Sequence, residues 1–271
     1  MRVARCLDQN GLSHWVEPLS ADRARLYEGD SPFGGLRPGE REIDVRRWLA
    51  PVLPTDIYGV GLNYRAHAAE TGADLPDNPV LFMKPSTAVT DPDSPILLPA
   101  ACEHGPEVDY EAELAVIIGK TARNVAVEDA LDFVLGYTCA NDVSARRWQK
   151  RGGGGQWVRG KSFDTFCPLG PVLVTADEIP DPQGLGIRSV LNGRTMQSSS
   201  TADMIFTVAE LVAFISRDTT LLPGTAILTG TPEGVGFART PPVFLSDGDT
   251  IEISIDRIGT LNNPVRDARR D

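Results

Sequence analysis

The chain has 271 residues, 41% of them hydrophobic and 23% charged, enough for one large globular domain plus a small one. Its formal net charge of −11 argues against nucleic acid and anionic membrane surfaces as partners, though a local cluster of cations can still receive a small anion. No apolar run approaches the ~20 residues of a membrane span, and Met1-Arg2-Val3-Ala4-Arg5 lacks the apolar core of a signal peptide.

Residues 1–54 read as a small β-rich N-terminal accessory unit, and residues 55–271 as the larger, chemistry-bearing domain. Short strand-like pieces (Arg2 to Cys6, His14 to Pro18) lie among turn-rich stretches such as Ser31-Pro32-Phe33-Gly34-Gly35 and Arg37-Pro38-Gly39. Ile57 to Leu62 suits a strand that ends in glycines. Asn63 to Glu70 suits a short helix with Asn63 as N-cap. On that helix His67 and Glu70 are neighbours, either an incidental ion pair or a carboxylate that orients an imidazole. The polar stretch from Thr71 to Asn78 could let the helix move as a lid. Val80 to Met83 and Ile96 to Pro99 are further strands.

Val108 to Gly119 is the most informative stretch. Leu114 to Ile118 is an unbroken apolar run, which suits a strand covered on both faces. Period-two alternation puts Glu111 and Glu113 on one face. Buried together, two carboxylates repel each other, and a hard divalent cation with oxygen ligands relieves that. Glu107 and Asp109 share the same parity, so some of these acids are expected to be merely solvated, and spacing alone leaves both readings open.

Val127 to Val134 reads as a short amphipathic helix. Leu135 to Ala140 is a strand delivering Asn141-Asp142 to a helix start, where Asp142 can be a ligand or a cap. Arg151 to Gln156 is a glycine turn without the Lys-Ser/Thr ending of a phosphate loop. Ile187 to Gln197 forms a hairpin about Asn192-Gly193. Thr207 to Glu210 is a capping box before the apolar helix Leu211 to Ile215. Ala226 to Leu228 is a buried strand, followed by the glycine-threonine loop Thr229 to Gly236, and Thr250 to Ile255 closes the series. Many strands, few helices and no βαβ rhythm predict a mixed β (α+β) architecture. The four cysteines (Cys6, Cys102, Cys139, Cys167) form no CxxC pair and read as reduced thiols of a cytoplasmic protein.

Several ordered motifs carry a resemblance: Tyr64-Arg65-Ala66-His67 with Glu70, Leu81 to Ser86, Glu111-Ala112-Glu113, Asn141 to Arg146, Gly160-Lys161-Ser162-Phe163, Asp203 to Phe206, and Leu228 to Pro232. Over roughly Ile57 to Ile255 the chain resembles the fumarylacetoacetate hydrolase family, in particular its short acylpyruvase, isomerase and decarboxylase branch. The resemblance implies a β-sandwich roll and a homodimer. It implies Mg²⁺, Mn²⁺ or Ca²⁺ held by Glu111, Glu113 and Asp142, with His67, Glu70 and Lys161 catalytic. Lys84, Arg146, Gln149 and Thr231 match substrate-binding positions. The implied substrate is a small 2-oxo mono- or dicarboxylic acid. The first expectation is metal-dependent hydrolysis of the C–C bond of an acylpyruvate-type 2,4-diketo acid, through a metal-bound pyruvate enolate. Oxaloacetate decarboxylation or 2-hydroxyhepta-2,4-diene-1,7-dioate isomerisation is the alternative, and a keto-acid-binding module without turnover the remote one.

Overall fold

A computed structural model describes residues 1–150 and 154–270; Arg151, Gly152 and Gly153, the first part of the expected glycine turn, lie outside the described residues. Four antiparallel strands open the chain: β1 (Arg2–Asp8), β2 (Ser13–Pro18), β3 (Arg23–Glu28) and β4 (Arg37–Leu49). Then come β5 (Ile57–Gly61), α1 (Arg65–Thr71), β6 (Val80–Lys84), β7 (Val89–Thr90), β8 (Ile96–Leu98), β9 (Val108–Asp109) and β10 (Ala112–Ile118). The middle of the chain supplies β11 (Val134–Asn141), β12 (Ser144–Ala145), α2 (Arg146–Lys150), α3 (Trp157–Lys161) and β13 (Cys167–Thr175). The remainder is β14 (Gly186–Leu191), β15 (Arg194–Ser200), α4 (Val208–Ile215), β16 (Ala226–Leu228), β17 (Thr250–Ile255) and β18 (Gly259–Asp267). The protein is a strand-dominated α+β structure, and its longest described helix has eight residues.

One sheet has the order β2-β3-β4-β1-β13-β11-β10-β16-β5-β6, with β7 beside β13; a second runs β15-β14-β17-β18-β8. The first four strands close on themselves, because β2 also pairs with β1. That group is hydrogen-bonded into the main sheet through Arg2 opposite Val174 and Val3 opposite Leu173. β10 lies at the centre, and all seven of its residues are buried. Its alternation serves two cores. Leu114, Val116 and Ile118 join a cluster with Ile187, Ile251 and Ile253 of the second sheet. Ala115 and Ile117 join another with Leu169, Leu173 and Leu228. Each such aliphatic side chain contributes about 1.5–3 kcal/mol through burial, which makes this strand the anchor of the fold.

The hairpin between β14 and β15 turns at Asn192 and Gly193, both with positive φ (50° and 78°), as a type I′ turn requires. The capping box is complete: the Thr207 hydroxyl accepts from the Glu210 N–H, and the Glu210 carboxylate accepts from the Thr207 N–H. Other local expectations shift. α1 begins after Tyr64, and no side chain caps it. Asn63 instead ties two distant loops together: its Nδ2 donates to the carbonyls of Phe206 (3.0 Å) and Thr229 (2.8 Å), and its Oδ1 accepts from the Phe206 N–H (2.8 Å). Val127–Phe133 is a 3₁₀ rather than an α-helix. α2 starts at Arg146, with β12 in between, so Asp142 caps no helix. Among the described residues no helix is long and apolar enough to cross a membrane.

Strand direction gathers the chemistry at one end of the main sheet. β10 starts where the antiparallel β11 and β16 end, since Ala112 faces Asn141 and Ala115 faces Leu228. β5 runs parallel to β16, so its end and the following α1 arrive at the same side.

Candidate metal centre and its cavity

Glu111 precedes β10, Glu113 is its second residue, and Asp142 directly follows β11. Each offers a carboxylate oxygen, and the three oxygens lie within 4.8 Å of one another. They are 6%, 1% and 0% exposed, so solvent screens little of their repulsion. Lys161 bridges two of them, its Nζ 2.6 Å from Glu111 Oε2 and 2.6 Å from Asp142 Oδ2. Lys84 Nζ donates to Asp142 Oδ1 at 2.5 Å, and Arg146 Nη1 is 2.7 Å from Glu111 Oε1. Among the described residues Glu113 receives only the Gly230 N–H, at 2.7 Å, and no hydrogen-bonded cation.

The titration of the pair reflects that inequality. Burial would raise both carboxyls, but Lys161 and Arg146 hold Glu111 far below its ordinary range. Burial, reinforced by the charges of Asp142 and Glu111, pushes Glu113 well above it. Burial also opposes the charge on Lys161, yet the carboxylates of Asp142 and Glu111 outweigh it and raise its pKa, so it stays an ammonium. An all-oxygen donor set with one uncompensated buried carboxylate fits a hard divalent cation bound by Glu111, Glu113 and Asp142.

A cavity of about 360 Å³ opens onto this cluster, and His67, Glu111, Glu113, Arg146, Gln149 and Lys161 all line it. Thr231 lines it too; its hydroxyl donates to the Ala112 carbonyl and accepts from Gln197 Nε2. His67 Nδ1 is 3.2 Å from Glu70 Oε2, and the same carboxylate accepts from the Gly234 N–H. The α1 pair is thus clasped to the glycine-threonine loop. Gln149 Oε1 accepts from Arg146 Nη1 at 3.0 Å. Glu70, Lys84 and Asp142 stand behind the cavity wall rather than in it, Lys84 by way of Asp142 and Glu70 by way of His67.

Close packing sets these positions. A Cβ on Gly160 would meet the Gln149 backbone nitrogen at 2.6 Å, so only glycine lets α3 approach α2 and carry Lys161 to the carboxylates. A Cβ on Gly61 would lie 2.4 Å from the Trp157 ring, which forms the cavity wall with Phe82. The Lys161 ammonium sits 4.9 Å over Phe82.

Sequence reasoning missed three supporting residues. Asp109 is not solvated but fully buried; it holds Arg146 Nε at 2.8 Å and the N–H groups of Tyr110, Gly236 and Phe237. Glu107, of the same parity, is also buried, at 6% exposure. Gln197, part of the hairpin, accepts from the Ala112 N–H and donates to Thr231 and Pro232. Asn63 holds the Thr229 carbonyl, as above. The local sequence signals of all three are those of a strand end, a strand and a cap, and only the Asp109–Arg146 charge complementarity was open to notice.

Residues 56–266 match the family model described as "Fumarylacetoacetate (FAA) hydrolase C-terminal". A mitochondrial oxaloacetate tautomerase of Xenopus laevis is 50% identical over 218 residues, 80% of this chain and 67% of that protein. Two solved structures are also similar. The 5-carboxymethyl-2-hydroxymuconate delta-isomerase of Mycobacterium smegmatis is 42% identical, with a TM-score of 0.84 over 98% of this chain and all of that one. The 2-hydroxyhepta-2,4-diene-1,7-dioate isomerase of Mycobacterium marinum is 41% identical, with a TM-score of 0.82 over 99% of both chains. Fold, carboxylate cluster and these matches agree: the chain belongs to the fumarylacetoacetate hydrolase family of enzymes.

Proposed function

We propose that this protein is a divalent-metal-dependent enzyme that moves a proton at carbon 3 of a small 2-oxo dicarboxylic acid, interconverting its keto and enol forms. The observation that carries this reading is the opening of one small cavity onto Glu111 and Glu113 of the carboxylate trio, with Asp142 directly behind them, and onto an oriented imidazole. Its similarity to a tautomerase and two isomerases supports proton movement over other chemistry. Mg²⁺, Mn²⁺ or Ca²⁺ bound by Glu111, Glu113 and Asp142 supplies Lewis-acid polarisation of the keto group. Lys161, a permanent ammonium between Glu111 and Asp142, places positive charge where the enolate develops it. His67, held by Glu70, takes the proton from carbon 3 and delivers it to the oxygen on carbon 2, and the reverse transfer restores the ketone. Gln149, Thr231 and Arg146 orient the substrate from the cavity wall, and Lys84 acts through Asp142. The volume suits a ligand of a few carbons.

A second reading is hydrolysis of the C3–C4 bond of an acylpyruvate-type 2,4-diketo acid. The complete His67–Glu70 pair favours it: His67 would take a proton from water as the oxygen attacks the distal carbonyl, and the bond then breaks to leave the pyruvate enolate. The packed pair of sheets supports the β-sandwich roll. Exposed Val80, Leu81 and Met83 on the edge strand β6 suit a homodimer contact, and the four free cysteines suit a reducing cytoplasm.

Incubating Mg²⁺-loaded protein with oxaloacetate, acetylpyruvate or fumarylpyruvate distinguishes these readings. Accelerated decay of the oxaloacetate enol absorbance without pyruvate release supports the tautomerase; pyruvate release from an acylpyruvate supports the hydrolase. No turnover of any, with tight oxalate binding, would leave a keto-acid-binding module.

A further inference from the structure

Asp109 is a fully buried carboxylate that the proposed reaction leaves without a task, and it does not itself line the cavity. Its strand β9 pairs with β12, Asp109 opposite Ser144, and this register sets it beside Arg146 at the start of α2. Four donors converge on it. Oδ1 accepts from the N–H groups of Tyr110 (2.9 Å) and Gly236 (2.8 Å), and Oδ2 from the Phe237 N–H (3.0 Å) and Arg146 Nε (2.8 Å). Four bonds fill the acceptor sites of a carboxylate, so Asp109 has none left for a cation or a substrate. Its influence runs through the groups it holds. A Cβ on Gly236 would overlap Asp109 Oδ1 and the Val243 carbonyl, so glycine is what lets this segment reach the carboxylate.

We infer that Asp109 is a positioning residue: it fixes Arg146 against the metal ligand Glu111 and pins the Phe237 backbone at the cavity, so that one buried carboxylate sets both cation binding and the cavity wall. Arg146 spans the two acids with different nitrogens, Nε on Asp109 and Nη1 2.7 Å from Glu111 Oε1. Sharing the guanidinium leaves Glu111 with more of its charge to offer a cation than if Arg146 faced it alone. At the other end of the link, the Phe237 ring lines the cavity and lies 4.4 Å from the Arg146 guanidinium. The same loop gives its Gly230 N–H to Glu113 and its Gly234 N–H to Glu70. Backbone amides of one segment, residues 229–237, thus hold a metal ligand, the partner of the imidazole and the anchor of Arg146. Asp109 closes this network on the Glu111 side. The inference rests on the metal-dependent reading above and adds to it a residue that touches neither cation nor substrate.

The test measures Mg²⁺ affinity by titration calorimetry on the full chain, with the folded fraction checked by circular dichroism. Asp109→Asn keeps the shape but removes the charge that shares Arg146, and its amide nitrogen leaves two of the four donors without an acceptor. It should raise the Mg²⁺ Kd about 10- to 100-fold. A carboxylate with only a structural role would lower the melting temperature and leave the Kd of the folded protein unchanged; that result overturns the inference and leaves the proposed function standing. Arg146→Lys keeps a charge near Glu111 and loses the Nε bond. If Asp109 works through Arg146, the double variant should bind Mg²⁺ no more weakly than the weaker-binding single variant, whereas losses that multiply overturn the link. Hydrogen exchange on the wild type decides the case should Asp109→Asn fail to fold. Mg²⁺ should protect the Gly236 and Phe237 amides beyond its general stabilisation of the chain, and equal protection throughout overturns the inference. A wild type that binds no Mg²⁺ defeats the metal-dependent reading, and the inference with it.

Discussion

Glu111 and Glu113 are two residues apart on one strand face, yet their surroundings set them to opposite tasks. Two cations neutralise Glu111, while Glu113 has a single backbone N–H and two neighbouring carboxylates that repel its charge. In the metal-free protein Glu113 therefore costs stability. Its folded pKa is raised, so its protonated form contributes stability that is complete below the ordinary carboxylate range and is lost as pH rises through the folded value. Glu113→Gln keeps an acceptor for the Gly230 N–H and removes the charge. It should raise the melting temperature of the metal-free protein, more at about pH 8 than at about pH 5.5, and abolish the further rise that Mg²⁺ gives the wild type. Calorimetric scans of both proteins, with and without Mg²⁺, measure this; a variant less stable at both pH values would show that the site is organised without a cation. His67→Ala separates proton transfer from metal binding. It should lower kcat about 10²- to 10⁴-fold and leave the Mg²⁺-dependent stabilisation intact, because the imidazole contacts Glu70 rather than the carboxylate trio. Turnover at the wild-type rate would remove His67 from the mechanism. At this scale the parity of Glu111 and Glu113 was legible from the sequence. The burial of Asp109 was not, because its partners Arg146 and Gly236 lie 37 and 127 positions away.

Elements read well where one local rule decides them. The apolar run of β10, the Asn192-Gly193 turn and the Thr207–Glu210 capping box all stand as their sequences imply. They fail where tertiary pairing overrides local preference. β4 contains Pro38 and alternates mostly charged residues; it is held by β1 and β3 rather than by an apolar pattern. β13 carries Pro168, Gly170 and Pro171, residues that usually signal a turn. It is nevertheless a strand between β1 and β11, with eight of its nine residues buried and only Pro171 partly open. α3 is five residues long with no side-chain cap, and packing on α2 through Gly160 specifies it. The capping box gives this scale its test. Thr207→Ala removes the acceptor for the Glu210 N–H at an exposed helix end and should cost about 1 kcal/mol, a fall of about 2 °C in melting temperature, with catalysis unchanged. Thr207→Ser should recover most of it.

At the scale of the whole molecule, the sequence suggests a small N-terminal unit beside a larger one, and the pairing shows how tightly the two are joined. Val3 continues the main sheet through β13, and its side chain belongs to the same core as Ala115, Ile117 and Leu173. Ala4, Cys6, Val16 and Val45 share a buried cluster with the interior of the larger sheets. We therefore propose that residues 1–54 serve as a structural accessory: they cover the edge of β13 and close the core behind the carboxylate cluster, and supply no side chain to the cavity. Removing them would leave β13 with an unpaired edge next to newly exposed aliphatic residues, the combination that drives strand-to-strand association. A chain beginning at Thr55 should express mainly as aggregate, or melt well over 10 °C lower if recovered, since several buried aliphatic side chains at about 1.5–3 kcal/mol each lose their cover. Its loss of activity should follow its loss of folded fraction, because the His67–Glu70 pair and the metal-ligand trio all lie beyond residue 54. Activity and circular dichroism measured on the same samples separate the two effects. A truncated chain that folds fully yet binds neither Mg²⁺ nor oxalate would give the N-terminal unit a direct part in the site, and one that folds and turns over normally would make it dispensable.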